Sequence, residues 1–308
     1  MRGCSKNLQL QKPSSIVAMN NNFLDFVLVA APRSGTTWLG TALAEHPRIW
    51  VPPNKEVNFF NEPYLSHVEF KYERGIEYYK GIFERAPSGA IRGELTPTYY
   101  VDLKSSERIH EHFPKTKILI LLRNPADVVH STFLKTREHY ATSEDLEGEI
   151  NSRPELLKLG YYYRNLKPYF DRFPRQRIYI GIYEEFFANL AENISTVYQF
   201  LGADHDFRPS ALDKKINPTR SVRWPILVKM RHVLQRQANK PSLLPMKRLL
   251  TRAVSLEMLD MKLTELNLEH GHLPELDPST RSWLMDLFAE DLGKFEELVN
   301  FNLSIWRH

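Results

Sequence analysis

The stretch "FVLVAAPRSGTTWLG", residues 26–40, decides the fold class. Its first part, 26–31, is apolar at every position and rich in valine, which indicates a strand covered on both faces, as in a parallel sheet flanked by helices. From Gly35 onward the pattern is helical and ends at His46-Pro47. The apolar positions of this helix recur at spacings of three and four: Trp38, Leu39, Ala42 and Leu43. Strand, loop and helix therefore form one unit.

The loop of this unit is typical of an anion site. Backbone N–H groups at the start of a helix lack intrahelical partners, and the helix dipole adds partial positive charge there. Gly35 lets an anion approach the backbone, Ser34, Thr36 and Thr37 offer hydroxyl groups, and Arg33 adds a full charge. The expected occupant is phosphate or a phosphate mimic, with an ordinary capped strand-to-helix turn as the alternative.

The loop differs from the phosphate-binding loop of nucleotide triphosphatases. That motif needs G-x-x-x-x-G-K-[ST], in which the lysine reaches the outer phosphates and the hydroxyl holds magnesium. Here Ser34 or Gly35 occupies the lysine position, and Ala30 stands at the first glycine. The sequence thus does not support ATP hydrolysis.

A second strand–loop–helix unit follows in "KTKILILLRNPADVVHSTFLK", residues 115–135. Ile118–Leu122 is again a continuous apolar strand, and Asn124-Pro125 is typical of a helix cap followed by the first helical residue. Arg123 can pair bidentately with phosphate, and Ser131 can offer a hydroxyl from the helix flank. A surface ion pair is the alternative interpretation of Arg123.

These two units resemble the nucleotide-binding segments of sulfotransferases that use 3′-phosphoadenosine-5′-phosphosulfate (PAPS). "PRSGTTWL", residues 32–39, resembles the 5′-phosphosulfate loop in its arginine version, and Arg123 with Ser131 resembles the 3′-phosphate segment. The resemblance implies these nucleotide contacts in the two segments: Arg33, Ser34, Gly35, Thr36, Thr37, Trp38, Arg123 and Ser131.

"VPPNKEVNFFN", residues 51–61, resembles the Lys-Glu-x-x-Phe-Phe segment of carbohydrate sulfotransferases. The resemblance implies that Glu56 is the general base, and a base of this kind contributes about 10²–10⁴-fold. Lys55, together with Arg33, is expected to neutralise charge on the bridging oxygen. The alternative is a solvated Lys55–Glu56 pair beside phenylalanines that pack in the core.

Three further segments match the family more weakly. "GELTPTYY", residues 93–100, resembles a strand end that faces the acceptor, which implies substrate contacts from Glu94, Thr96 and Tyr99. "RIYIGIYEEF", residues 177–186, is an apolar strand that ends in Tyr-Glu, and Tyr183 is expected at the nucleotide. "KKINPTRSVRWP", residues 214–225, resembles a basic loop that closes over the nucleotide, with these phosphate ligands: Arg220 and Arg223.

The expected fold is a three-layer, P-loop-like α/β domain with a central parallel sheet flanked by helices. The chain has 308 residues, of which 42% are hydrophobic, so it can bury one sizeable core. We expect a flexible segment at 1–22 and one domain at 23–308, with 225–275 as a helical lid or, alternatively, a membrane-contacting segment. Asp277-Pro278 opens a closing helix whose core positions are expected to be Leu284, Leu287, Phe288, Leu292, Phe295 and Leu298.

Composition and apolar pattern limit the ligands, metals and cellular location that we expect. The net charge of +4 suits a phosphorylated small molecule but does not indicate nucleic acid binding. Cys4 is the single cysteine, and the histidines show no metal-ligand spacing, so we expect no disulfide and no metal. No stretch approaches the roughly 18 uninterrupted apolar residues of a membrane span, and residues 1–22 lack an apolar signal core, so the expected location is cytoplasmic.

The resemblance thus implies an enzyme that moves a sulfuryl group from PAPS, its co-substrate, to a hydroxyl or amine. The acceptor is expected to be a small molecule, a lipid or a glycan, without nucleic acid or an integral membrane segment. The alternatives are a small-molecule kinase of P-loop type and a non-catalytic nucleotide-binding protein. Magnesium dependence with ATP would favour the kinase, and loss of Glu56 without loss of function would favour the binding protein.

Overall fold

Five parallel strands form the central sheet in the described part of the chain. This computed structural model describes residues 23–53, 56–62, 71–139, 145–213, 220–222, 268–270 and 274–307. The strands are β1 Phe26–Ala30, β2 Ile49–Trp50, β3 Ile91–Leu95, β4 Lys117–Leu122 and β5 Ile178–Ile182. Their order across the sheet is β2-β3-β1-β4-β5, and every pairing is parallel.

Helices connect these strands along the chain. They are α1 Thr36–Glu45, α2 Ile76–Gly81, α3 Leu103–His112, α4 Pro125–His139, α5 Leu146–Ser152, α6 Tyr162–Arg172, α7 Tyr183–Ala188, α8 Leu190–Leu201 and α9 Pro278–Val299. Short 3₁₀ turns lie at Tyr72–Arg74, Pro97–Tyr100, Pro154–Gly160, Arg175–Arg177, Ser210–Asp213 and Ser304–Trp306. A separate antiparallel pair is formed by β6 Arg220–Val222 and β7 Leu268–His270.

Both faces of the sheet are buried. All five residues of β1 are inaccessible to solvent, and they alternate between two hydrophobic clusters. Val27 and Val29 pack with α3, α4, α6 and α9 on one face. Phe26, Leu28 and Ala30 pack with α1 and α8 on the other. Alternate side chains of a strand project to opposite faces, so each face of the sheet is covered by its own layer of helices. The expected three-layer α/β fold is therefore confirmed.

The predicted helix starts are confirmed by their caps. The Asn124 side chain accepts hydrogen bonds from the N–H groups of Ala126 at 3.0 Å and Asp127 at 3.4 Å. Asp277 likewise accepts from the N–H groups of Ser279 and Thr280 at the start of α9. These side chains satisfy donors that a helix start leaves free.

One core prediction for α9 is wrong. Leu287 is 39% exposed, whereas Leu284, Phe288, Leu292 and Phe295 are buried. Val299 occupies the last buried position of this helix. The buried stripe follows i, i+4, i+8 and i+11, which leaves Leu287 on the outer edge of the helix face.

Several predictions fall on residues outside the described ranges. They concern the flexible segment 1–22, Lys55, Arg223 and the lid 225–275 apart from 268–270 and 274–275. The backbone of residue 220 lies in β6.

The carboxyl ends of the parallel strands place the motifs at one edge of the sheet. The loop 31–35 follows β1, Thr96 follows β3, Arg123 follows β4, and Tyr183 follows β5. Ligands of open α/β sheets bind at this edge.

Candidate functional site

The loop after β1 has the geometry of an anion cradle. Gly35 adopts φ +82° and caps α1, and Arg33 also lies in the left-handed region at φ 65°. A Cβ added at Gly35 would lie 2.3 Å from ring atoms of Phe187, so only glycine fits without a shift. The first intrahelical bond runs from Leu39 N to Gly35 O, which leaves the three preceding N–H groups for a ligand.

Ser34 supplies a further donor to this cradle. Its side chain is fully buried, and its Oγ has no hydrogen-bond partner within the described residues. Buried hydroxyl groups are normally hydrogen-bonded, so an unsatisfied one at a helix N-terminus fits an anionic ligand.

Trp38 contributes differently from what its motif suggests. Its side chain is buried at the start of α1, in edge-to-face contact with Phe186 and Phe187, and its Nε1 donates to the Ala211 carbonyl at 2.9 Å. The indole thus anchors the helix to the core, which leaves the Trp38 backbone N–H as its group available to the predicted ligand.

Arg123 joins the second motif to the first. Its Nη1 donates to the Arg33 carbonyl at 3.3 Å, and its guanidinium lies 4.8 Å from the centroid of the Tyr183 ring. Its Nε is buried without a hydrogen-bond partner in the described ranges. Tyr162 donates its hydroxyl to the Arg123 carbonyl, so the backbone is held as well. An arginine that is fixed in this way retains a donor for a phosphate.

Ser131 completes the cluster. Arg33 Nε donates to Ser131 Oγ at 3.3 Å across 98 residues of sequence. The structure thus brings together four residues that the sequence analysis assigned to the nucleotide: Arg33, Arg123, Ser131 and Tyr183. Two positive charges meet here at the start of α1, which makes the edge strongly attractive to anions.

Sequence reasoning missed the residues that hold Arg123 and its neighbours. Glu184 accepts from Asn124 N at 2.9 Å and from Trp306 Nε1 at 2.9 Å. Asn124 Nδ2 in turn donates to the Trp306 carbonyl at 3.3 Å. The Tyr-Glu strand end contained a signal for Glu184, but no local pattern marks Tyr162 as a partner of Arg123.

His130 lies on α4 beside this charge cluster. Partial burial lowers its pKa, Arg281 and Arg123 lower it further, and Asp127 opposes the shift. Asp127 is itself paired with Arg281 at 2.6 Å. A neutral imidazole is therefore favoured next to the anion site.

Glu56 lies at the same sheet edge, beside the end of β3. Its N–H donates to the Leu95 carbonyl at 3.1 Å, and its side chain is exposed. Both Glu56, at φ 62°, and Asn58, at φ 54°, adopt left-handed backbone conformations. Phe59 and Phe60 are fully buried. The alternative interpretation, a solvated Lys55–Glu56 pair, also required this burial. Strained backbone that persists in this way is common at functional sites.

Glu94, Thr96 and Tyr99 do not lie on an open surface. All three are fully buried, and they hydrogen-bond to one another behind the segment 56–60. Their expected contact with an acceptor stays a prediction.

Of the two basic-loop residues, Arg220 lies in β6, which approaches α4. Arg223 and the catalytic candidate Lys55 fall outside the described residues. Among the residues that the structure describes, no three His, Cys, Asp or Glu side chains cluster as metal ligands. None of the described helices is long and apolar enough to cross a membrane.

Comparison with known proteins gives one family. A family model described as "Sulfotransferase domain" matches residues 24–220. Heparan sulfate glucosamine 3-O-sulfotransferase 6 of Mus musculus is 25% identical over 64% of this chain and 58% of its own length. Bifunctional heparan sulfate N-deacetylase/N-sulfotransferase 2 of Bos taurus is 27% identical over 65% of this chain and 23% of its own length. The chain thus spans well under two thirds of the length of these curated relatives.

A solved structure gives the same fold. The sulfotransferase from Alicyclobacillus acidocaldarius superimposes with a TM-score of 0.67 over 92% of this chain and 99% of its own, at 21% identity. This likeness supports the architecture of the sheet and its flanking helices.

Proposed function

The chain belongs to the sulfotransferase family, and we propose that it moves the sulfuryl group of PAPS to an acceptor hydroxyl or amine, releasing 3′-phosphoadenosine-5′-phosphate. One observation carries the proposal: the hydrogen bonds that join Arg33 to both Arg123 and Ser131 at the start of α1. This cluster suits a ligand with two separate anionic groups, and PAPS carries a 3′-phosphate and a 5′-phosphosulfate.

The two anionic groups are assigned to different parts of the cluster. The N–H groups of Thr36, Thr37 and Trp38 are suited to the 5′-phosphosulfate, as is the Ser34 hydroxyl, which has no hydrogen-bond partner among the described residues. Arg123 and Ser131 are assigned to the 3′-phosphate, and Tyr183, whose ring packs on the Arg123 guanidinium, is assigned to the nucleotide. Arg220 remains a proposed phosphate ligand, as does Arg223.

In the proposed transfer step, Glu56 is the general base. The acceptor oxygen or nitrogen forms a bond to sulfur while the bond between sulfur and the bridging phosphate oxygen breaks. The acceptor proton passes to the Glu56 carboxylate, and the electron pair of the broken bond stays on the leaving nucleotide. Arg33 and Lys55 are proposed to stabilise the charge that develops there.

We propose saccharides as the first class of acceptor to test, because the names of both curated relatives give heparan sulfate as the molecule on which they act. Small-molecule and lipid alcohols are the other classes to screen, and cytoplasmic location stays a prediction.

The kinase alternative is not favoured, because the family match points to sulfuryl transfer and the lysine of the triphosphatase loop is absent. Peripheral membrane contact is proposed only as a property of the segment 225–275.

The experiment that tests this function is calorimetry with matched nucleotides. Charge-assisted hydrogen bonds contribute about 1.5–3 kcal/mol each, so adenosine 5′-phosphosulfate, which lacks the 3′-phosphate, should bind at least about tenfold more weakly than PAPS. Arg123→Ala should reduce that difference markedly. Arg208→Ala is the control and should retain it, because Arg208 is exposed and lies two residues before Ser210, whose N–H donates to Glu45 at the end of α1.

Equal affinity of the wild-type protein for the two nucleotides would contradict the proposal. So would an Arg123→Ala variant that discriminates between them as strongly as the wild type. Transfer of labelled sulfate to a panel of hydroxylated acceptors then identifies the acceptor class.

A further inference from the structure

A buried carboxyl group lies behind the segment that carries Glu56. Glu94 is fully buried in β3. Its Oε1 accepts from Thr96 Oγ1 at 2.7 Å and from Tyr99 OH at 2.6 Å, while its Oε2 accepts from Tyr79 OH at 2.5 Å. Three hydroxyl groups thus converge on one side chain, which satisfies a group that is costly to bury.

Two of these hydroxyl groups also bind the backbone of the segment 56–60. Tyr99 OH accepts from Phe59 N at 2.9 Å and from Phe60 N at 3.2 Å. Thr96 Oγ1 accepts a longer bond, 3.4 Å, from Asn58 N. Tyr79 OH donates to Glu94 and, among the described residues, makes no hydrogen bond to this backbone.

The direction of these bonds depends on Glu94. A hydroxyl group has one proton, and the oxygens of Tyr99 and Thr96 already accept from the loop, so their protons must go to another acceptor. Glu94 Oε1 is that acceptor. Burial raises the pKa of Glu94 and the hydrogen bonds from Tyr79, Tyr99 and Thr96 oppose the shift. A proton on Oε2 would leave the role of Oε1 unchanged.

The segment needs this support, because its backbone is strained on either side of Val57. Glu56 and Asn58 both have positive φ, a conformation that persists in non-glycine residues only when surrounding contacts impose it. Further anchors bind its carbonyl groups: Lys71 Nζ donates to Val57 O, and Arg108 donates to Phe60 O. On the N–H side, the Leu95 carbonyl binds Glu56 N, and the Tyr99 and Thr96 hydroxyls bind residues 58–60.

We propose that Glu94 is a positioning residue for sulfuryl transfer: by orienting the Tyr99 and Thr96 hydroxyls toward itself, it makes them acceptors for residues 58–60 and so fixes the position of Glu56. This inference rests on the proposed function, in which Glu56 is the base. It replaces the expected acceptor contacts of Glu94, Thr96 and Tyr99 with a role in loop placement.

The test compares two tyrosines of the same network. Tyr79→Phe and Tyr99→Phe each remove one hydroxyl and one bond to Glu94, but only Tyr99→Phe removes bonds to the loop. We expect Tyr99→Phe to lower kcat about tenfold or more, since small misplacements of a reacting group are costly, with product-nucleotide affinity unchanged. Tyr79→Phe should retain kcat near the wild-type value.

Variants of Glu94 and Thr96 extend the comparison. Glu94→Gln keeps an oxygen toward Tyr99 and Thr96 and places its amide nitrogen toward Tyr79, so it should retain most of kcat. Glu94→Met removes that acceptor and should lose kcat as Tyr99→Phe does. Thr96→Ser keeps the hydroxyl and should match the wild type, whereas Thr96→Val should not.

Hydrogen exchange separates this inference from the proposed function. The amides of Phe59 and Phe60 should exchange faster in Tyr99→Phe than in Tyr79→Phe at equal global stability, whether or not the protein transfers sulfate. Unchanged exchange, or faster exchange with unchanged kcat, would overturn the positioning role, as would equal loss of kcat in the two tyrosine variants. Failure of Glu56→Gln to lower turnover would instead overturn the assigned base.

Discussion

Arg33 and Arg123 are neighbours in space although 90 residues separate them in the chain. Each follows a buried strand, and adjacent parallel strands end at the same sheet edge, so their contact follows from the pairing of β1 with β4. Tyr183 and Ser131 join them from the next strand end and from the flank of α4. At the scale of single residues, the site consists of short polar segments that the sheet brings together.

The first residue-scale prediction concerns Glu56. Glu56→Gln keeps the size and polarity of the side chain but cannot take up a proton as a carboxylate does. Turnover should fall about 10²-fold or more, while affinity for the product nucleotide stays the same. The control is Glu77→Gln, which removes an exposed carboxylate paired with Lys80 on α2.

Turnover and nucleotide affinity are measured on the same preparation of each variant. Unchanged turnover in Glu56→Gln would contradict the base assignment and direct the search to His130. Parallel loss of binding and turnover would show that Glu56 supports the structure and does not accept the proton.

The second residue-scale prediction concerns Gly35. Gly35→Ala adds strain at φ +82° and places a Cβ 2.3 Å from the Phe187 ring. Gly202→Ala has similar strain at φ +84° but meets nothing within 4 Å, so the pair isolates the effect of crowding. We expect Gly35→Ala to lower the free energy of unfolding by about 1–3 kcal/mol more than Gly202→Ala does.

Nucleotide binding should follow the same order, because Phe187 and Tyr183 pack against one another beside the cradle. Chemical denaturation and calorimetry measure the two effects. Equal losses of stability in the two variants would show that the Phe187 ring moves aside without cost.

At the scale of elements, the turn at Ser304–Trp306 supports the start of α4. Trp306 is buried against Tyr162, which itself holds the Arg123 carbonyl. Its indole N–H and its carbonyl bind Glu184 and Asn124 respectively. The last described turn of the chain thus anchors Asn124, the residue directly after Arg123, and packs on Tyr162.

The element-scale prediction replaces Trp306 by Phe. This change keeps an aromatic ring but removes the bond from Nε1 to the Glu184 carboxylate, a class of bond that contributes about 1.5–3 kcal/mol. Nucleotide affinity should fall severalfold, because Glu184 also holds the Asn124 N–H. Trp283→Phe, at a partly exposed position on α9, is the matched control and should leave affinity unchanged.

Thermal unfolding accompanies the binding measurement for both tryptophan variants. A loss of stability in Trp306→Phe without a change in nucleotide affinity would mean that the turn closes the fold and does not support Arg123.

At the scale of the whole molecule, two partly buried histidines make stability depend on pH. Desolvation lowers the pKa of His130 on α4 and of His112 at the end of α3 below the usual 6.5. Glu111 opposes the shift at His112, and Lys80 adds to it. The unfolded chain therefore binds more protons than the folded one just below pH 6.5, and folding stability falls as pH decreases through this range.

The corresponding prediction is that His130→Gln and His112→Gln each flatten the loss of stability between about pH 6.5 and 5. Denaturant unfolding at several pH values measures the slope. Burial raises the pKa of carboxyl groups such as Glu94, and this makes folding stability rise as pH falls. The quantity to compare is therefore the difference in slope between each variant and the wild type. An unchanged slope in both variants would contradict the prediction.

Local pattern alone determined the fold class and named the residues that lie together at the start of α1. The apolar runs predicted β1, β4 and β5, and the Asn124 and Asp277 caps marked the starts of α4 and α9. These features depend on residues that are neighbours in sequence, because strand burial and helix capping are local. The same holds for the left-handed glycine that opens α1.

Only the tertiary structure decided how the polar groups pair. It buried Glu94 in hydrogen bonds with Thr96 and Tyr99, exposed Leu287, and joined Glu184 to Trp306 across 122 residues. A buried carboxyl or indole N–H must find a partner wherever packing provides one, and that partner is set by the meeting of distant elements. A strand pattern states which positions are buried, but the identity of the groups that share the buried space follows from the complete fold.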